Sequence, residues 1–327
     1  MSAAMQDPAA VTVSAPGKIN VSLQVGPLRP DGYHAVASVY LALSLREEVR
    51  AARAGQPGIT VRVEGGGPLR IPAHGIPLGP DNLVSRAAAA LAAHAGIADP
   101  AVDLTITKRV PVAGGMGGGS ADAAAALLAC NLLWETGLDR AELSPLAARL
   151  GADVPFALEG GAAVGLGIGD QLSAVPAQSA LHWVLVASGS GLSTPAVYGR
   201  LDALRAEAEA VGAAPAPEPA AADPRVLEAL RSGNAAALAG VISNDLQPAA
   251  LSLAPELESV LDRGRSLGAL AGIVSGSGPT LAFLAEDAGS AARLETALRA
   301  EGHNALAVHG PVPGAAPAAG QNPNRRK

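Results

Sequence analysis

Gly114-Gly115-Met116-Gly117-Gly118-Gly119 runs straight into Ser120-Ala121-Asp122 and the alanines Ala123 to Ala126, so residues with the greatest backbone freedom abut the strongest helix formers. A chain built this way must make a loop that opens a helix. The apolar alternation of Val102 to Thr107 just upstream predicts a strand, which makes the whole a strand, a glycine loop and a helix spanning Ser120 to Glu135. Two familiar phosphate-binding patterns do not fit it. The P-loop requires Lys after its last glycine, where this chain has Ser120, and the Rossmann fingerprint counted from Gly115 meets Ser120 in place of its third glycine. The physics beneath both patterns still applies, because glycine amides approach an anion closely and a helix start offers unpaired N–H groups and partial positive charge. The same run also reads as a surface turn before an ordinary helix.

The 327 residues, 49% of them apolar, suffice for two lobes. The expected division is an N-terminal lobe over 10–170 carrying the glycine loop, a C-terminal lobe over 171–310, and a disordered tail over 311–327, where large apolar side chains are too few to order the chain. A net charge of −6, with basic residues clustered only at Arg325-Arg326-Lys327, argues against a nucleic-acid groove. Cys130 is the sole cysteine, which excludes an internal disulfide and a thiolate metal site and points to a reducing cytoplasm. Met1 to Ala10 lacks the pattern of a signal peptide and no apolar run reaches membrane-spanning length, so neither export nor membrane association is expected.

Strands are predicted at Val11 to Val13, Ile19 to Val25, Val36 to Leu45, Ile59 to Glu64 and Trp183 to Ser188, with a turn at Ala15-Pro16-Gly17. Helices are predicted at Ser85 to Ala95, Ser144 to Leu150 with Ser144 as N-cap, Val226 to Leu238 and Leu257 to Leu267. Ala206 to Asp223 reads as a mobile, low-complexity loop. Against a background rich in arginine, lysine occurs only at 18, 108 and 327, which draws attention to Lys18 at a strand entrance and to Lys108 before the glycine loop. Asp153, set between apolar neighbours, calls for a charged partner. Read from spacing alone, Lys18 and Asp153 form either a structural ion pair or an acid–base pair. Cys130 reads as a buried, inert thiol, and the histidines at 74, 94, 182, 303 and 309 show no metal-ligand spacing.

"PVAGGMGGGSADAAAAL" (111–127) resembles the phosphate loop of the GHMP kinases, "APGKIN" (15–20) their N-terminal motif, and "GSGPTLAFL" (276–284) their C-terminal glycine motif. "RPDGYH" (29–34) and "GADVPF" (151–156) are similar to the branch that phosphorylates the 2-hydroxyl of a cytidine diphosphate-linked methylerythritol, a step of non-mevalonate isoprenoid synthesis. The resemblance implies a two-lobed α+β fold, mixed sheets packed on helices, with the active site in the cleft between lobes. It also implies ATP as phosphoryl donor, with Mg²⁺ carried on the nucleotide, and Lys18 and Asp153 in catalytic roles. ATP would meet Pro111, Gly114, Gly115, Met116, Gly117, Gly118, Gly119 and Ser120, with Asn82 and Lys108 at the adenosine end. Tyr33 and Tyr198 would sandwich the cytosine, His34 would read its edge, and Asn20 would hold the erythritol diphosphate beside Asp153. Asn82 alternatively caps a helix, and Ser120 contacts a phosphate or its ion or else caps the alanine helix. Gly276 to Gly278 either approach the phosphates or turn the chain into a strand, and "NDLQP" (244–248) resembles a further family segment. Many members have Ser-Ser-Asn where this chain has Ser120-Ala121-Asp122, and the role of Asp122 is left open.

Overall fold

The computed structural model describes residues 10–71, 75–177, 179–189 and 191–318. The chain begins with β1 (Ala10–Leu28), β2 (His34–Arg53), β3 (Gly58–Gly65), α1 (Leu83–His94), β4 (Ala101–Lys108) and α2 (Gly118–Leu133). It continues through α3 (Arg140–Leu150), α4 (Val154–Glu159), β5 (Ala162–Leu166), β6 (Gln171–Val175), β7 (Leu181–Ala187), α5 (Thr194–Ala210), α6 (Pro224–Ser232) and α7 (Ala235–Ala239). The last part comprises β8 (Ser243–Asn244), α8 (Gln247–Leu253), α9 (Glu256–Ser266), β9 (Ala271–Val274), β10 (Leu281–Ala285), α10 (Ala288–Ala300), β11 (Asn304–Gly310) and β12 (Ala316–Pro317).

A large mixed sheet has the order β12-β1-β2-β4-β3, with β5 and β6 added along the β2 hairpin arm and β8 parallel to β1. A second, antiparallel sheet has the order β11-β7-β10-β9. Burying both kinds of surface requires helices, and α2 does most of this for the first sheet. Ala121 and Ala123 to Ala126 are all fully buried there, because methyl side chains let the helix lie close against its neighbours on every side.

Five local expectations change. The helix expected over Val226 to Leu238 divides at Gly233, which adopts φ +65°, into α6 and α7. The Ala15-Pro16-Gly17 turn is instead a register shift inside one continuous strand, where β1 stays paired to β2 on both sides of the irregularity. Helix α3 starts at Arg140, a turn before Ser144, because Asp139 and Glu142 form a capping box with both hydrogen bonds at 2.9 Å. Helix α5 carries on through Ala210, into the segment read as a mobile loop. The tail is ordered through residue 318. Arg46 donates at 2.7 Å to the carbonyls of Pro313 and Gly314, Arg140 at 2.5 Å to that of Ala315, and β12 pairs with β1. Backbone hydrogen bonds and small residues hold this strap, which large apolar side chains do not. Residues 319–327 and His74 lie outside the described residues.

Candidate active site

The β1 irregularity has a chemical consequence. It turns Lys18 toward the glycine loop, and the Lys18 amide donates to the Met116 carbonyl at 3.0 Å, so the first strand and the loop share a backbone bond. The Lys18 ammonium is buried. Its Nζ donates to Asn20 Oδ1 at 2.7 Å, lies 3.6 Å from Asp153 Oδ2, and sits 5.3 Å from the centroid of the Tyr40 ring. Asn20 is held in turn by its own donation to Ser38 Oγ at 2.6 Å. Asp153 stands at the start of α4, where its side chain makes no capping bond and stays 28% exposed, free to meet a ligand.

These groups open onto a cavity of about 620 Å³ that is also lined by the whole glycine loop from Pro111 to Ser120. The loop is ordered along the cavity. A Cβ at Gly117 would stand 3.3 Å from Lys18 Cγ and 3.6 Å from Asp153 Oδ2, whereas one at Gly119 would meet Leu83 Cδ1 at 3.6 Å. Thus the loop leads from the Lys18–Asp153 pair toward the start of α1. Gly117 adopts φ +65°, a left-handed conformation suited to glycine, and the first bond of α2 is Ala121 N to Gly117 O at 2.9 Å. The amides of Gly118, Gly119 and Ser120 precede that bond and form the helix's anion-attracting end.

The C-terminal glycine motif grips the loop from the far side. Ser275 Oγ donates to the Gly115 carbonyl at 3.1 Å, and Gly115, at φ +74°, lies so close to Ser275 and Gly278 that only glycine fits. Asn244 of the "NDLQP" segment braces that motif by donating to the carbonyls of Val274 at 2.9 Å and Gly276 at 2.7 Å. Thr194 and Ser277 hydroxyls meet at 2.9 Å on the cavity wall.

Beneath the loop lies a charged cluster. Lys108 Nζ is 2.6 Å from Glu47 Oε1 and 2.6 Å from Asp122 Oδ2, and all three residues are buried. Glu47 additionally accepts from the amides of Arg109 at 2.8 Å and Val110 at 3.2 Å. Burial and the neighbouring Asp122 carboxylate push Glu47 up to about 7 against the pull of Lys108. Burial likewise raises the Asp122 carboxyl, opposed by Lys108. Burial works to lower the Lys108 ammonium, but the two carboxylates outweigh it and raise that group. The open question over Asp122 is therefore answered by geometry: it pairs with Lys108 from the first turns of α2.

Several expected contacts turn out differently. Asn82 lines the cavity but also caps α1, accepting from Val84 N at 2.8 Å and donating to the Pro77 carbonyl at 2.6 Å. Met116 is wholly buried, so its carbonyl, not its thioether, serves the site. Ser120 lines the cavity without capping α2. Tyr33 is 60% exposed and lies off the cavity wall, because a tight turn closed by Arg29 N to Tyr33 O at 2.8 Å and Tyr33 N to Asp31 Oδ1 at 3.0 Å faces it outward. The ring beside Tyr198 is that of His34, at 5.0 Å between centroids, and His34 Nε2 is 2.8 Å from Asp202 Oδ1. Burial and the charge of Asp153 push the Tyr198 phenol up to about 12 and Tyr40 further still, so both stay protonated and neither can act as a base. Glu47 and Tyr40 were not foreseen. For Glu47 a signal existed: along β2, Leu43, Leu45, Val49 and Ala51 alternate inward, and Glu47 occupies an inward position among them.

Residues 82–161 match the model for the GHMP kinases N terminal domain and residues 226–304 that for the GHMP kinases C terminal domain. A protein of Pseudarthrobacter chlorophenolicus named 4-diphosphocytidyl-2-C-methyl-D-erythritol kinase is 60% identical over 307 residues, covering 93% of this chain and 94% of that protein. One of the same name from Streptomyces avermitilis is 51% identical, with coverages of 93% and 98%. Among solved structures, a 4-(cytidine 5'-diphospho)-2C-methyl-D-erythritol kinase superposes with a TM-score of 0.73 at 30% identity, covering 92% of this chain and 99% of that one. A homoserine kinase from Cytophaga hutchinsonii shares the fold, with a TM-score of 0.70 at 19% identity over 97% of this chain and 99% of its own.

Proposed function

The chain belongs to the GHMP kinases, and on that footing we propose that it transfers the γ-phosphoryl group of ATP to the 2-hydroxyl of 4-diphosphocytidyl-2-C-methyl-D-erythritol, a step of isoprenoid precursor synthesis. The relatives of that name support the substrate. The observation that carries the chemistry is the approach of Lys18 Nζ to Asp153 Oδ2, 3.6 Å, on the wall of the cavity that the glycine loop lines.

In this reading Asp153 orients the acceptor hydroxyl and takes its proton, since the carboxylate is partly exposed and no phenol nearby can ionise in its place. Lys18, fixed by Asn20 and the Tyr40 face, neutralises charge that spreads over the phosphoryl oxygens during transfer. The amides of Gly118, Gly119 and Ser120 receive the phosphates and orient them in line with the acceptor. Asn82 and Leu83, at the far end of the loop, border the adenosine. The Ser120 hydroxyl and the Asp153 carboxylate on this wall are hard oxygen donors that would hold a Mg²⁺ ion carried on ATP, which would supply charge neutralisation at the phosphates. Tyr198, with His34 against it, forms the platform for the cytosine, and Asn20 borders the erythritol phosphate. Tyr33 would have to turn inward to complete the stack. The use of ATP as donor favours a cytoplasmic setting, and no described helix is long and apolar enough to cross a membrane.

The test is one incubation with ATP, Mg²⁺ and the cytidyl diphosphate substrate, read by mass for a gained phosphate. The Asp153→Asn variant should fold and bind ATP while turning over about 100-fold more slowly or worse. Near-normal turnover by that variant removes Asp153 from the mechanism, and absence of the phosphorylated product from the wild-type chain removes the assignment.

A further inference from the structure

The loop that receives ATP has two ends, and the buried cluster touches both. Lys108 is the last residue of β4, at the entrance to the 109–117 loop, and Asp122 lies in α2 just past its exit. Their 2.6 Å ion pair closes the loop like a clasp. Glu47, from the neighbouring strand β2, holds the same ammonium at 2.6 Å and the first two loop amides at 2.8 Å and 3.2 Å, so the clasp is fastened to the sheet. A Cβ at Gly118 would stand 3.2 Å from both Glu47 Oε1 and Lys108 Nζ, which sets the cluster directly under the first turn of the helix. The neighbours of Glu47 on β2 face elsewhere: Arg46 binds Ser14 at 3.0 Å and Glu48 binds Arg109 at 2.9 Å.

Stability is a poor explanation for this arrangement. Three ionisable side chains in a core are costly to desolvate, and apolar residues of similar volume commonly serve stability better. One oxygen, Asp122 Oδ1, is even left buried without a hydrogen-bond partner. Charge complementarity to ATP explains it no better. Two carboxylates around one ammonium add negative charge below a site that must take a polyanion.

We propose that Glu47 and Asp122 are positioning residues of the nucleotide site, acting through Lys108 to hold the phosphate loop in its binding shape before ATP arrives. This deepens the kinase reading and rests on it. A loop ordered in advance leaves less conformational entropy to be lost on binding, so the effect falls on nucleotide affinity. Once ATP has organised the loop, the chemical step proceeds much as before.

Direct titration with a non-hydrolysable ATP analogue and Mg²⁺ reads this without any acceptor. Glu47→Gln removes the charge at nearly constant volume and should raise the Kd about 10-fold, equivalent to about 1.4 kcal/mol. Hydrogen exchange of the 109–119 amides should quicken, while kcat at saturating ATP stays within about threefold and the acceptor KM does not move. Glu47→Asp, which restores the charge, should recover part of the affinity, and Asp122→Asn should weaken binding in the same direction and serves alone if Glu47→Gln does not fold. Glu48→Gln, at the half-buried neighbouring Arg109–Glu48 pair, should bind as the wild type does. Unchanged or tighter binding by folded Glu47→Gln and Asp122→Asn overturns the proposal, as does a lowered melting temperature with unaltered Kd. A wild-type chain that binds no ATP would instead defeat the kinase reading itself.

Discussion

Gly115→Ala tests whether the grip between the phosphate loop and the C-terminal glycine motif sets the geometry of catalysis. At φ +74° an alanine sits in the left-handed region, at a cost of roughly 1–2 kcal/mol. Its methyl would overlap the Ser275 carbonyl oxygen and stand 2.8 Å from Gly278 N and 3.0 Å from Ser275 C. All three atoms are backbone, in a segment that Asn244 braces through the adjacent Val274 and Gly276 carbonyls, so they cannot swing aside as a side-chain tip would. The phosphate loop must therefore retreat, by on the order of 1 Å, and a misplacement of that size commonly costs about 100-fold in rate. The retreat also breaks the Ser275 hydroxyl bond to the Gly115 carbonyl. We expect kcat/KM for ATP to fall about 100-fold, close to 2.7 kcal/mol of transition-state stabilisation, with a melting temperature lowered by several degrees. Initial rates of ADP release at varied ATP and saturating acceptor measure the first, and a thermal melt the second. Gly55→Ala, where a Cβ meets nothing within 4 Å, provides the matched substitution that should change neither. A Gly115→Ala enzyme within twofold of wild type would refute the reasoning, because the loop could then hold its phosphate-binding shape without contact to the second motif.

Two further outcomes follow from the packing. The Cys130 thiol, fully buried in α2 and pushed up to about 12 by that burial, should resist alkylation by iodoacetamide at pH 8 in the native protein and react readily in denaturant; rapid native labelling would show that α2 opens. Gly264→Ala on α9 should destabilise the second sheet, since a methyl there would stand 2.6 Å from both Cδ1 and Cζ of the buried Phe283. Overpacking of this kind costs about 1–3 kcal/mol, visible as a lowered midpoint in urea, and an unshifted midpoint would mean that Phe283 can move aside.

How much of this could be read from sequence depends on whether the relevant interaction is local. The glycine loop, the helix after it and the cation and carboxylate of Lys18 and Asp153 were legible because each announces itself within a few residues: backbone freedom beside strong helix formers, a rare lysine, a charged group between apolar ones. The capping box of α3 is equally local, and a search for Asp139 with Glu142 would have found it ahead of Ser144. The Glu47–Lys108–Asp122 cluster joins two strands and a helix, and nothing about Lys108 or Asp122 taken singly reveals the partner. Glu47 was within reach through the alternation of β2, which identifies an inward carboxylate without naming what neutralises it.

The strap over 311–318 failed for a different physical reason. Apolar bulk is no guide to order there, because the segment is held by backbone carbonyls that accept from Arg46 and Arg140 and by pairing with β1. Bulk would in fact be harmful, since a Cβ at Gly314 would run into the Leu158 carbonyl. Tyr33 shows the converse. Resemblance assigned it a partner, Tyr198, but a turn closed by its own neighbours decides where the ring points, and the ring that reaches Tyr198 belongs to the next residue, His34. A motif thus locates a segment reliably, while the direction in which each of its side chains points is set by hydrogen bonds that the motif does not specify. The same distinction separates the two lysines. Lys18 meets the cavity because a strand irregularity turns it there, and Lys108, next to the glycines in sequence, has its charge taken up by two carboxylates before any phosphate arrives.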